Sequence, residues 1–113
     1  MRDIRLEEIP FEFDGKVYQL RCNMNVLADV QEVYGGDFVS AMTGNPTKST
    51  LVFLAAMLND YADEMGWEER YTAKSLGRMI PPRDLKAGKM TEIMGLVIRA
   101  VTPVSDPSEE PGN

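Results

Sequence analysis

Apolar and polar residues alternate near the start of the chain, which is the periodicity of a β-strand. The apolar positions are Ile9, Phe11 and Phe13, and Asp14-Gly15 follows them directly. This pair favours a two-residue type I′ turn, because both central positions of that turn need a positive φ. The pattern therefore predicts a β-hairpin over about 9–22.

The expected turn also determines which residues of the two strands face each other. It pairs Ile9 with Leu20, Phe11 with Tyr18, and Phe13 with Lys16. One face of the hairpin would then be apolar. Because an isolated hairpin is only marginally stable in water, we expect that face to pack on helices.

Beyond Cys22 the apolar residues recur every three or four positions, which is the spacing of amphipathic helices. The pattern predicts four helices, at 24–34, 47–65, 72–80 and 83–101. It also predicts a short helical turn at 38–42. In the second longer helix, residues 51–58 are apolar nearly all round, which indicates the most buried element.

The first helix has a clear start and an apolar face that can be read from its spacing. Asn23 is a candidate N-cap, because its side chain can accept a hydrogen bond from a free backbone N–H. The predicted apolar face consists of Met24, Leu27, Val30, Val33 and Tyr34.

Together these elements predict an α+β fold, in which an N-terminal β-hairpin packs on a small bundle of four to five helices. Residues 1–102 would form this single domain around 51–58. Residues 103–113 are almost entirely polar, acidic, glycine or proline, so we expect a disordered acidic tail.

Composition supports a globular chain and suggests its compartment. The chain has 113 residues, of which 43% are apolar and 27% charged, as in ordinary globular domains. Its longest apolar run, 51–58, is far shorter than the roughly 20 residues of a membrane span. No apolar signal segment follows Met1, and the single cysteine, Cys22, fits a reducing compartment. We therefore expect a cytoplasmic protein that does not contact membranes.

Charge is distributed in blocks along the chain. The net charge of −6 argues against a protein that coats nucleic acid. Residues 60–69 contain five acidic and no basic side chains, whereas 70–99 contain seven basic and two acidic ones. The two blocks either compensate each other on neighbouring solvated faces or form a polar docking surface.

The residue types give little support to catalysis. The chain has no histidine, which excludes histidine-based triads and histidine metal sites. The loop at 44–50 lacks the glycines of a phosphate-binding loop. The acidic residues of 60–69 lack the ligand spacing of a calcium loop. We predict no enzymatic activity, no metal and no cofactor.

A partner-binding surface is the more promising kind of site. Methionine suits adaptable protein-binding surfaces as well as cores, and the chain has eight. Trp67 lies beside a glycine among acidic residues and is the best candidate for an exposed aromatic anchor. The other interpretation is that it caps one end of the helical core. The predicted surface consists of Met65, Trp67, Arg70, Tyr71 and Lys74.

The order of these features resembles the tail assembly chaperones of long-tailed bacteriophages and the related gene transfer agent proteins. The resemblance covers about 9–102 and rests on layout and short patterns. These are the hairpin closed by Asp14-Gly15, the helix that opens at 23–27 and ends at Gly35-Gly36, the long apolar helix, the helix at 71–77, and a final helix with an acidic tail. No functional residue can be carried over from it.

The resemblance implies a small, non-enzymatic protein in the cytoplasm of an infected or lysogenic bacterium. It would bind the tape measure protein and hold it soluble until the tail polymerises. Tail tube subunits and further copies of the chain are additional candidate partners. In that family, ribosomal frameshifting near the end of the short form often produces a longer one.

Two other functions remain open from the sequence. One is a phage or plasmid DNA-binding regulator that uses the basic segment 70–89, in which Arg70, Lys74 and Arg78 are spaced by four. The proline pair at 81–82 and the negative net charge weigh against it. The other is a structural connector or neck component of the virion.

Overall fold

A computed structural model describes residues 7–102 of the chain, and the tail predicted at 103–113 lies outside the described residues. The described part contains a two-stranded antiparallel hairpin and five α-helices, which confirms the predicted α+β class. In chain order the elements are β1 (Ile9–Phe13), β2 (Lys16–Leu20), α1 (Met24–Val33), α2 (Phe38–Thr43), α3 (Pro46–Met65), α4 (Ala73–Met79) and α5 (Ala87–Val101).

The hairpin has the register that its turn residues predict. Ile9 faces Leu20, Phe11 faces Tyr18, and Phe13 faces Lys16. Asp14 and Gly15 have φ angles of 53° and 78°, as a type I′ turn requires. Tyr18 and Leu20 are fully buried, and β2 packs on α3. The apolar face of the hairpin is therefore part of the core.

Helix α3 passes through the centre of the fold. It begins at Pro46, behind Asn45, whose side chain accepts hydrogen bonds from the N–H groups of Thr47 (3.0 Å) and Lys48 (3.1 Å). Every residue from 52 to 58 is buried. The helix ends at Gly66, which adopts the left-handed conformation with φ of 77°. The predicted central helix is confirmed.

The core-facing side of helix α1 only partly matches the predicted face. Asn23 is its N-cap, as expected, and accepts a hydrogen bond of 2.9 Å from the Val26 N–H. Val26 and Val30 are fully buried, whereas Met24 is 76% and Val33 60% exposed. The helix has two overlapping apolar stripes, and docking on α3 selects the stripe that contains Val26. The predicted face was therefore wrong at Met24 and Val33, whereas Leu27, Val30 and Tyr34 do pack on the core.

The last third of the chain also starts its final helix later than predicted. The segment Pro82–Asp84 forms a 3₁₀ turn, and α5 begins only at Ala87. Lys86 precedes it in an extended conformation, with ψ of 166°. A predicted start at 83 was wrong because the two prolines at 81–82 remove backbone donors and favour a tight turn. Both α4 and α5 pack on α3.

Replacing Leu54 with alanine tests the central position of α3. Leu54 is fully buried, so the change removes buried methyl groups and leaves a cavity, and we expect a loss of about 2–5 kcal/mol in the free energy of unfolding. Urea denaturation followed by circular dichroism measures it. The matched control is Val39→Ala, at a side chain that is 66% exposed, where a change within about 0.5 kcal/mol is expected. Equal midpoints for the two variants would contradict the assignment.

Candidate functional site

The five residues of the predicted partner-binding surface differ widely in exposure. Met65, Arg70 and Lys74 are exposed, Trp67 is half-buried, and Tyr71 is only 7% exposed. They lie on the end of α3, the connector that follows it, and the start of α4. The structure therefore does not assemble the five side chains into one solvent-facing patch.

Trp67 packs onto the end of the core. Its ring meets those of Tyr18 and Tyr61 edge to face, with centroid distances of 5.2 Å and 5.7 Å. The ammonium group of Lys16 lies 5.4 Å from the centre of the indole ring, within the range of a cation–π interaction. Trp67 therefore caps one end of the helical core, and most of its contacts serve the fold.

Tyr71 joins the connector to both α3 and the hairpin turn. Its backbone N–H donates to Oδ1 of Asn59, and its backbone carbonyl accepts from Nδ2 of the same residue, both at 2.8 Å. Its hydroxyl donates to Oδ2 of Asp14 at 3.0 Å. Burial, followed by the neighbouring Tyr18 and Asp14, raises the pKa of the Tyr71 hydroxyl. Tyr71 is thus a structural link and not an exposed contact residue.

A Tyr71→Phe variant tests this link. It removes one hydrogen bond to a carboxylate, so we expect a loss of about 1–2 kcal/mol in the free energy of unfolding at neutral pH. Because the pKa of Tyr71 is raised on folding, the folded state keeps a proton that the unfolded state releases at high pH. The wild type should therefore lose stability above about pH 10.

The variant should lose less stability than the wild type over the same alkaline range. Chemical denaturation at a series of pH values measures both effects. A variant with the wild-type stability at neutral pH and the wild-type alkaline slope would show that the bond to Asp14 contributes nothing.

The acidic block at 60–69 is largely paired, but only one of its partners belongs to the basic block. Arg70, from the basic block, forms an ion pair with Asp63. The other partners belong to the hairpin region: Arg21 contacts Asp60 and Glu64, and Lys16 contacts Glu69. The acidic block therefore serves mainly to hold the hairpin against the end of α3.

The basic segment 70–89 does not form a DNA-reading unit. Its helix α4 has seven residues, and the next helix follows only after the 3₁₀ turn at Pro82–Asp84. A helix-turn-helix needs two helices packed together, whereas α4 and α5 each pack principally on α3. Arg70 and Lys89 are also paired with acidic residues, Asp63 and Glu92. This geometry does not favour the DNA-binding alternative.

Two open grooves are better candidates for a binding site. The first, which we call the α1–α4 groove, has a volume of about 360 Å³. Helix α3 forms its floor, and α1 and α4 form its walls. Of the five predicted residues, only Tyr71 and Lys74 line it. Its remaining wall and floor residues include Asp29, Glu32, Val33, Val52, Ala55 and Ala56.

On the α1 wall of this groove, the ionised carboxylate of Asp29 is in an unfavourable environment. Burial, followed by the negative charges of Glu32, Asp60 and Asp63, raises the pKa of Asp29. A raised pKa means that folding disfavours the ionised carboxylate, so the destabilisation is present at neutral pH and is relieved as the pH falls through the folded-state pKa. The nearby negative charges therefore add to the effect of burial at Asp29.

Replacing Asp29 with asparagine removes this repulsion without changing the size of the side chain. We expect a small gain in stability at pH 7, of up to about 0.5 kcal/mol because the position lies at the surface. The gain should vanish in acid, where Asp29 of the wild type is protonated. Thermal melts at both pH values measure the difference. A gain that persists unchanged in acid would assign the effect to something other than charge.

The second groove, which we call the methionine groove, lies between α5 and the start of α3 and has a volume of about 340 Å³. Met90, Met94 and Ile98 form its α5 side, with Pro46 and Thr50 on the other. Ile98 is 49% exposed. The residues of the α5 side are spaced by four, which is a signal present in the sequence. The same spacing is typical of a buried core face, so the sequence did not distinguish an exposed groove from the core.

The described residues offer few groups for chemistry. Among residues 7–102, no group of three or more acidic or cysteine side chains is arranged to hold a metal ion. Burial raises the pKa of the Cys22 thiol to about 11, which keeps it protonated and weakly nucleophilic at neutral pH. In the same part of the chain, no helix is long and apolar enough to cross a membrane.

Comparison with known proteins leaves the family open. The chain matches no protein-family model, no curated protein and no solved structure.

Proposed function

We propose that this chain is a non-enzymatic tail assembly chaperone of a phage or prophage, which binds helical segments of the tape measure protein in the host cytoplasm. The observation that carries the proposal is the methionine groove, an open apolar surface on the last helix. The layout of the hairpin and helices, which resembles that of tail assembly chaperones, supplies the phage context.

The methionine groove suits a helical client. Its α5 side runs from Met90 to Ile98, which is about 12 Å at 1.5 Å per residue. This length corresponds to about two turns, so a client helix could place two or three apolar side chains in it. Flexible methionine side chains can adapt to clients of different shape.

Such a contact is small, and this agrees with the proposed role. Interfaces that bury little surface are weak and transient. A long client offers many similar helical segments, so several weakly bound copies can cover it together. The same weakness lets the copies leave when tube subunits polymerise around the client.

The residue content of the chain also supports a function without an enzymatic step. The chain has no histidine, and its one cysteine is buried with a raised pKa. These observations argue against a histidine general base and against a cysteine nucleophile. The proposed activity therefore consists of binding alone.

Co-expression with the tape measure protein tests the proposal. We expect the soluble yield of the tape measure protein to rise when this chain is present. Ile98→Lys places a charge in the methionine groove and should remove most of that gain. The matched control is Met24→Lys, which adds the same charge at the more exposed position of α1 and should leave the gain intact.

Three outcomes would count against the proposal. A tape measure protein that is equally soluble alone would remove the chaperone function. Equal loss with Ile98→Lys and Met24→Lys would remove the methionine groove as the contact. Detection of the chain by mass spectrometry in finished, purified tails would favour the structural connector or neck component instead.

A further inference from the structure

The floor of the α1–α4 groove is formed by apolar side chains that are almost completely buried. Val52, Ala55 and Ala56 are 3%, 5% and 6% exposed, whereas Phe53 and Leu54 on the other sides of α3 are fully covered. The two alanines have short side chains, so the floor lies deep between α1 and α4. This stretch of α3 therefore lines the groove with apolar side chains.

The two walls of the groove carry opposite charges. Asp29 and Glu32 lie on the α1 side, and Lys74 lies on the α4 side. Within residues 7–102, none of these three groups forms an ion pair. The neighbouring acids at 60, 63, 64 and 69 all have basic partners. Within 7–102, the walls therefore hold charges that no ion pair compensates, as does Glu68 outside the groove.

We propose that the α1–α4 groove binds an amphipathic α-helix of a partner protein. The apolar stripe of that helix would lie on the alanine floor. Lysine or arginine residues on one flank would face Asp29 and Glu32, and aspartate or glutamate residues on the other flank would face Lys74. This inference concerns a different surface from the methionine groove, so it does not depend on the proposed chaperone function.

A helix fits this groove better than an extended peptide. Helices form the floor and most of both walls, and these helices offer no strand edge for a peptide to join. A helix satisfies its own backbone groups and presents only side chains. Val33, 60% exposed at the rim, extends the apolar area that such a helix would cover.

The opposite charges of the two walls favour a partner helix whose two flanks also carry opposite charges. A helix with acidic residues on both flanks would meet repulsion from the α1 wall, which already carries excess negative charge. A helix with one basic and one acidic flank gains on both sides, and the asymmetry also determines the direction in which it lies. Charge complementarity of this kind contributes chiefly to specificity and to the rate of association.

Binding of synthetic peptides to the full chain tests the proposal. The probe is a fluorescein-labelled helical peptide of about 18 residues, or five turns, with a leucine and alanine stripe, one lysine flank and one glutamate flank. The control peptide has the same stripe and two glutamate flanks. Measured by fluorescence anisotropy at low salt, the probe should bind about tenfold or more tightly than the control, with affinity that falls as salt is added.

Two pairs of exposed variants locate the contact. Glu32→Lys should weaken probe binding about tenfold, whereas Glu68→Lys, which changes the net charge equally outside the groove, should not. Val33→Ser should also weaken binding, whereas Val39→Ser, at an equally exposed valine of α2, should not. Circular dichroism confirms that each variant remains folded.

Several results would overturn the proposal. Absence of binding by the probe, or equal binding by the control peptide, would do so directly. If Glu32→Lys and Glu68→Lys weakened probe binding equally, the binding would depend on net charge and not on the groove. Concentration-dependent dimerisation that Glu32→Lys abolishes would assign the groove to a second copy of the chain, and probe binding only after removal of residues 103–113 would assign it to the tail. None of these results bears on Ile98 or the methionine groove.

Discussion

The rest of the structure depends on the complete burial of residues 52–58 of α3. A helix that is apolar on all sides has no face that water can solvate, so it has to be surrounded. The hairpin, α1, α4 and α5 each pack on it. Where two of these elements fail to meet, the surface of α3 remains open. The α1–α4 groove is such a gap, with Ala55 and Ala56 at its floor.

The connector after α3 shows how residues suited to binding can be used by the fold instead. Trp67 and Tyr71 have the side chains most often found at protein interfaces. Here Trp67 packs edge to face against Tyr18 and Tyr61. Tyr71 forms hydrogen bonds with Asp14 and Asn59. Both residues hold the hairpin to the end of α3. Surfaces available to a partner therefore lie in the grooves beside α4 and along α5.

Prediction from sequence succeeded for the hairpin, where the signal was local, and failed for the face of α1, where the outcome depended on a distant neighbour. The turn at Asp14-Gly15 and the alternation around it determine the hairpin register within a few residues. On α1, Met24 and Val26 are both apolar and both at helical spacing from other apolar residues, so periodicity alone could not choose between them. The burial of Tyr71 was missed for the same reason, because its hydroxyl bonds to Asp14, which is far away in the chain.

The sequence by itself determined the elements, the pairing of the strands and the central place of α3, because turn geometry, capping and hydrophobic periodicity act between near neighbours. Only the tertiary structure decided which side chains are left for a partner. Asp29, Ala56 and Lys74 come from three different helices and meet at one groove only after these have packed. Whether a side chain is exposed depends on the elements that pack over it, and these elements lie elsewhere in the chain.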